Sequence, residues 1–343
     1  MKRPLLIALV VCLSLTGPGA AMAIAMDKVL LVVSGFGLDA GRARPGYEFD
    51  ELSQAYLVLR DNGYDVEIAS PDGGAVVGDE YDVERPYNAL FLSDPTAVSR
   101  LAATRPIREL DPAAYVAIFV MGGKGAMFDL PYDPVLKDLL ARHHAGGGVL
   151  AAVCHGAAAF VRLRTSDGRA VIAGAPMAGF TNEEEHLFAS KWIPHFPFLL
   201  EDELTAQGAQ FAEAQPMMPF VQSGNRIVTG QNPSSTALTA EALVRALGRE
   251  PVARELWADE RSLLLVQRFM AGETEWAAGE LAARPDHYDV PLIAMYGYTR
   301  AQDPAAGADD LRHGLSVMEL AAPHFDHPQL REAIAAARLR VSG

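Results

Sequence analysis

The residues best suited to chemistry are a thiol and an imidazole side by side, Cys154-His155, closing the apolar run Val149-Leu150-Ala151-Ala152-Val153. Ala152 and Gly156 flank the cysteine at two positions' distance, and Ala157-Ala158-Ala159-Phe160 continues as a helical segment. This is the pattern of a nucleophile elbow, a sharp strand-to-helix turn that presents one side chain and tolerates only small neighbours. A helix N-terminus beneath the sulfur, with unpaired N–H groups and partial positive charge, favours the reactive thiolate. An isolated cysteine usually packs as a small inert hydrophobe; the flanking residues set this one apart.

A cysteine nucleophile needs a proton acceptor, an orienting group and donors for developing negative charge. His155 can reach a substrate proton beside the sulfur, and its backbone N–H lies where an elbow places one oxyanion donor. The loop Met121-Gly122-Gly123-Lys124-Gly125-Ala126-Met127-Phe128-Asp129 follows a buried strand, and its N–H groups, chiefly that of Gly123, supply the second. It is neither a Walker loop nor a dinucleotide fingerprint, so phosphate binding is the weaker reading. Glu51, at the start of the helix after the first strand, projects over the carboxyl end of the sheet, where burial raises a carboxyl pKa and suits it to moving protons. The run Glu183-Glu184-Glu185 has the composition of a solvated face or loop, yet it is the best local source of an orienting partner for His155. His143 and His144 diverge on a helix and the other histidines are scattered, so neither a metal nor any other cofactor is expected.

Strand and helix patterns alternate around these residues. Lys28 to Ser34, Asp65 to Ala69, Tyr115 to Met121, Val149 to Val153 and Arg226 to Thr229 read as strands. Phe49 to Asn62, Asp133 to His144, Pro197 to Gln207 and Thr236 to Leu247 read as helices, with Asp133-Pro134 as N-cap and first-turn proline. Such alternation predicts an α/β flavodoxin-like sandwich, a mostly parallel sheet with helices on both faces and its site at the carboxyl ends of the strands. From about Arg249 the strand patterns stop, and five segments between Leu256 and Arg340 read as helices, with no repeat period and no chemistry of their own. The expected organisation is a leader over 1–23, an α/β domain over 27–248 and a helical C-terminal extension over 249–343.

The leader is read from basic Lys2 and Arg3, the apolar stretch Leu5 to Leu15 and the small-x-small site Ala21-Met22-Ala23, the layout of a secretory signal peptide. The stretch is short for a membrane span. Cleavage near Ala23 or Ala25 would send the protein to a periplasm or the exterior and remove Cys12, leaving Cys154 as the one thiol and no intramolecular disulfide. The formal charge of −14 becomes more negative still without Lys2 and Arg3, which argues against nucleic acid or anionic lipid as the main partner.

The strings Ala152-Val153-Cys154-His155-Gly156, Gly122-Gly123-Lys124-Gly125-Ala126-Met127-Phe128-Asp129-Leu130-Pro131 and Gly179-Phe180-Thr181-Asn182-Glu183-Glu184-Glu185 together resemble the ThiJ/PfpI superfamily, within its heat-shock chaperone and glyoxalase III branch. Pro197 to Leu204 and Val228 to Ser235 are similar to the same branch, so the resemblance runs in order from about Lys28 to Leu247. It implies a class I glutamine amidotransferase-like fold, Cys154 as nucleophile, His155 as its partner, Glu185 as the acid completing a triad, and Glu51 as the carboxyl that hydrogen-bonds the sulfur and moves protons. Lys124 departs from the histidine of many members, adding positive charge beside the oxyanion region, and Ala157 departs from a common proline. The leader is unusual for the family, and the helical extension lies outside the resemblance.

What the resemblance implies is a cofactor-independent enzyme acting on a small carbonyl substrate, a 2-oxoaldehyde such as methylglyoxal, with Gly122, Gly123, Lys124 and His155 around the oxyanion. A cysteine hydrolase of amide or peptide bonds is the alternative within enzymes. A holdase chaperone of the stress response, with Cys154 vestigial or redox-sensing, is the alternative outside them. A homodimer fits any of the three.

Overall fold

The computed structural model describes residues 26–302 and 307–342; the expected leader, with Cys12 and its cleavage region, lies outside the described residues. Short, mostly buried strands build the centre, β1 (Lys28–Val32), β2 (Asp65–Ser70), β4 (Ala117–Val120) and β5 (Val149–Val153), with the two-residue edge strand β3 (Arg105–Pro106) less buried. With β8 (Val221–Gly224) and β9 (Ile227–Gly230) they form one sheet in the order β3-β2-β1-β4-β5-β9-β8, parallel except where β8 pairs antiparallel with β9. Every residue of β4, β5 and β9 is buried, as a sheet covered on both faces requires.

Helices α1 (Phe49–Asp61) and α4 (Pro134–Ala145) cross from β1 to β2 and from β4 to β5, which lie on opposite sides of the β1/β4 pair. Right-handed crossovers therefore put these helices on opposite faces of the sheet. The expected α/β architecture holds, and so does the N-cap of α4, where the Asp133 carboxylate accepts from the N–H groups of Val135 and Leu136 at 2.8 and 3.0 Å. The sequence reading did not anticipate α2 (Pro86–Ser93) or α3 (Pro95–Ala102), two short helices that each open on a proline. Nor did it anticipate β8 or the small parallel pair β6 (Pro176–Met177) and β7 (Gln210–Phe211). Helix α5 (Asn182–Phe188) replaces the solvated face or loop expected of the acidic run, and Glu184 and Glu185 are fully buried in it. Two further helices complete this part, α6 (Leu200–Ala206) and α7 (Thr236–Ala246).

The C-terminal region is helical, comprising α8 (Ala258–Met270), α9 (Thr274–Ala283), α10 (Val290–Gln302), α11 (Ala308–Ala321) and α12 (Pro328–Ser342). It has its own apolar core, with Tyr296, Ile293, Val317 and Met318 buried at its centre, and Met217 and Met218 reach into that core from the loop before β8. Arg254 holds the entry to α8 with ion pairs to Glu241 of α7 at 2.9 Å and to Glu260 at 2.5 Å. The extension is thus seated on the α/β domain rather than tethered to it.

Helices α10 and α11 meet backbone to backbone at Gly297 and Gly314. A Cβ at Gly297 would lie 2.7 Å from both the Gly314 carbonyl oxygen and the Met318 nitrogen, atoms that cannot swing away. Gly297→Val should therefore force the pair apart and cost about 1–3 kcal/mol, the usual scale for an overpacked core. Urea denaturation followed by circular dichroism measures it, and an unchanged midpoint would contradict this packing.

Candidate active site

The carboxyl ends of three adjacent strands supply the site. Chain leaving β1 arrives at the first turn of α1 with Glu51, chain leaving β4 gives Gly122-Gly123-Lys124, and β5 ends directly on Cys154. Cys154 has φ +56°, a left-handed conformation that costs a non-glycine residue on the order of 1 kcal/mol or more and persists only where its surroundings dictate it. The following seven residues, Cys154–Phe160, form a tight 3-10 helix whose side chains are all buried.

The imidazole of His155 turns back toward the sulfur, with Nδ1 at 3.4 Å from Sγ. Its Nε2 lies 2.8 Å from Glu185 Oε1, and the two side chains are 2 % and 0 % exposed. That carboxylate fixes both the ring orientation and the tautomer, leaving Nδ1 to face the sulfur. Phe180 packs tilted on the imidazole, with ring centroids 4.5 Å apart. Glu185 owes its position to a capping box, in which the Thr181 hydroxyl accepts from the Glu184 N–H while the Glu184 carboxylate accepts from the Thr181 N–H. Glu184 also accepts from Asn232 Nδ2 at 2.8 Å and from the Met217 N–H at 3.0 Å, so it holds α5 in place while its neighbour faces the histidine.

Glu51 is completely buried. Its Oε2 accepts from the Gly122 N–H at 2.6 Å, while Oε1 is buried without a hydrogen-bond partner. Residue 122 must be glycine, because a Cβ there would lie 2.8 Å from each of Cys154 Cβ, Glu51 Oε2 and the Val153 carbonyl oxygen. The carboxyl and the thiol are close enough to shift each other. Burial pushes Glu51 well above the usual carboxylate range, with the Glu48 charge adding to it and the Gly122 N–H opposing it. Burial likewise pushes the Cys154 thiol up, the Glu51 charge adding to it and the His155 backbone N–H opposing it. Burial thus favours the protonated form of both groups; the Glu51 charge raises the thiol further, whereas the hydrogen bond from Cys154 works the other way on the carboxyl.

Two expectations are corrected here. The elbow does not present an exposed thiolate favoured by a helix terminus, because Cys154 is only 4 % exposed and desolvation outweighs the donors beneath it. Nor is the Gly122 N–H free to bind an oxyanion, because Glu51 occupies it. Gly123, Lys124, Cys154 and His155 do share the wall of one cavity of about 250 Å³.

That cavity also contains groups the sequence reading missed. Glu48 lines it, its pKa pushed up to about 7 by burial and by Asp50, with the Lys124 ammonium working the other way. Farther out, Tyr87 donates its hydroxyl proton toward Asp259 Oδ2 at 3.1 Å or Asp50 Oδ2 at 3.3 Å. Arg85 donates to the Tyr87 oxygen at 3.0 Å and lies 3.6 Å from the Asp50 carboxylate. Glu48 and Asp50 flank Glu51 in sequence and were within reach of a local search. Asp259 belongs to the extension, and only the fold brings it here. No group of His, Cys, Asp and Glu suited to hold a metal occurs among the described residues.

A carboxyl with a raised pKa binds its proton more tightly in the folded state than in the unfolded one. Its contribution to stability is complete below the ordinary carboxylate range and is lost as pH rises through the folded value. Glu51→Gln removes this term and keeps an acceptor for the Gly122 N–H. Denaturation at about pH 5 and about pH 8 should show a smaller loss of stability on raising pH in the variant than in the parent; equal losses would contradict a buried, proton-holding Glu51.

The DJ-1/PfpI family model matches residues 43–246. Among curated proteins, the chain is 32% identical over 236 residues to glutathione-independent glyoxalase hsp3101 of Schizosaccharomyces pombe, covering 64% of this chain and 95% of that one. It is 30% identical over 238 residues to glyoxalase 3 of Candida albicans, covering 64% and 98% respectively. Among solved structures, glyoxalase III from Candida albicans superposes with a TM-score of 0.58 at 27% identity over 64% of this chain and 97% of that one.

Proposed function

Because the chain belongs to the DJ-1/PfpI family, we propose that it is a glutathione-independent, cysteine-dependent enzyme that converts small 2-oxoaldehydes such as methylglyoxal to 2-hydroxy acids, a glyoxalase III-like lyase. The observation that carries this reading is the buried chain of contacts from Glu185 through His155 to Cys154, with Glu51 against the same sulfur. The activity named for the relatives that the chain matches over nearly their whole length supports it.

In the proposed reaction the sulfur adds to the aldehyde carbon, forming the C–S bond, and the carbonyl oxygen takes a proton to give a hemithioacetal. Lys124, His155 and the Gly123 backbone share the wall of the cavity that holds the sulfur. Removal of the proton from the former aldehyde carbon gives an enediol, and return of a proton to the adjacent carbon leaves a 2-hydroxyacyl thioester on Cys154. Glu51 and His155 are the groups beside the sulfur able to move those protons. Water then cleaves the thioester, releasing the hydroxy acid and restoring the thiol, for a net addition of one water with no external oxidant or reductant. Glu51, whose proton burial holds above the usual carboxylate range, suits the sequence, because it can give that proton to the carbonyl oxygen as the C–S bond forms and take the thiol proton in its place.

Purified protein should produce D-lactate from methylglyoxal without added glutathione. Cys154→Ala should abolish that production, and lactate formed by this variant would overturn the mechanism. Glu185→Gln, which leaves His155 without its charged partner, should lower kcat by about 10²–10⁴, the range for losing positioned acid–base catalysis.

A further inference from the structure

The reacting end of the cavity belongs to the α/β domain, but part of its remaining wall does not. Asp259 of α8 and Leu292 and Met295 of α10 line the same space as Cys154 and His155. The polar groups there are engaged with one another, Arg85 lying between the Asp50 and Asp259 carboxylates at 3.6 and 3.8 Å with the Tyr87 hydroxyl bridging both. They leave little charge to offer a ligand. Beside them the cavity presents an apolar patch. Leu292 and Met295 from the extension face a cavity that Phe180 and Phe188 line from the α/β domain. Of these, Met295 is 47 % exposed and Phe188 39 %, unusual for large apolar side chains unless something covers them in use. A cavity of about 250 Å³ is more than methylglyoxal, with only a methyl group beyond its two carbonyls, fills.

We propose that the helical extension completes the active site and sets its specificity, with Leu292 and Met295 receiving the apolar substituent of a 2-oxoaldehyde larger than methylglyoxal. The inference rests on the reading of Cys154 as the nucleophile for 2-oxoaldehydes. A thioether and a branched aliphatic chain opposite two phenyl rings favour an aryl or branched alkyl group, since sulfur and aromatic faces attract beyond simple area burial.

The test is the ratio of kcat/KM for phenylglyoxal to that for methylglyoxal, measured on the full chain. The parent should favour phenylglyoxal by tenfold or more. Met295→Ser, at an exposed position, and Leu292→Ser, whose urea midpoint is measured alongside because Leu292 also packs against the helical core, should each lower that ratio at least fivefold. Tyr298→Ser, on α10 but outside this cavity, should leave it within twofold. A parent that turns over both substrates without preference, or serine variants that keep the parent ratio, would overturn the inference while leaving the glyoxalase reading intact. A parent inactive on both would overturn the two together.

Discussion

The structure depends on one crowded junction, where the Glu51 carboxyl, the Gly122 backbone and the Cys154 side chain occupy a space with no room for water or for a methyl group at residue 122. Three adjacent strand ends must be in register for these atoms to meet, and the register of β1 with β4 and of β4 with β5 is what aligns them. Burying a carboxyl without a cation is costly. The cost is lessened because Oε2 takes a short bond from the Gly122 N–H and the Cys154 side chain lies against the carboxyl. Desolvation, usually an argument against a charged nucleophile, here favours the protonated form of both the carboxyl and the thiol.

The same junction explains why His155 can serve although it directly follows the nucleophile. The left-handed turn at Cys154 rotates successive side chains toward one another instead of apart, and the Glu185 carboxylate then holds the ring. Glu185 in turn depends on α5, whose capping box consumes Thr181 and Glu184. An acidic run of three residues thus divides its labour. Glu184 secures the helix start, Glu185 orients the imidazole, and Glu183 reaches toward Arg300 of the extension at 3.8 Å. Through that contact and the Tyr87–Asp259 contact, the helical extension grips both sides of the cavity.

Much of this was legible in the sequence wherever local pattern decides structure. Strands such as Val149–Val153 are continuous apolar runs, α4 opens with an N-cap and a proline, and the small residues around Cys154 mark the elbow. What local pattern could not supply was burial. The run Glu183-Glu184-Glu185 looks solvated because burial of two carboxylates depends on Asn232, Met217 and His155, which arrive from elsewhere in the chain. The thiol looked exposed and activated because an elbow is recognised by its backbone, whereas the sulfur's pKa is set by what covers it. Asp259, Leu292 and Met295 looked irrelevant to chemistry, because nothing in a helical appendage announces which face it turns to a distant cysteine. Short helices α2 and α3 were missed although each begins with a proline, a sign that punctuation without a long apolar stripe is easily read as loop.

The central claim is that burial beside the Cys154 sulfur makes Glu51 hold its proton well above the usual carboxylate range, and infrared difference spectroscopy of the parent against Glu51→Gln tests it most directly. The account predicts a protonated-carboxyl stretch at neutral pH that disappears in the variant. A spectrum in which the substitution removes only carboxylate bands would show an ionised Glu51 and contradict it.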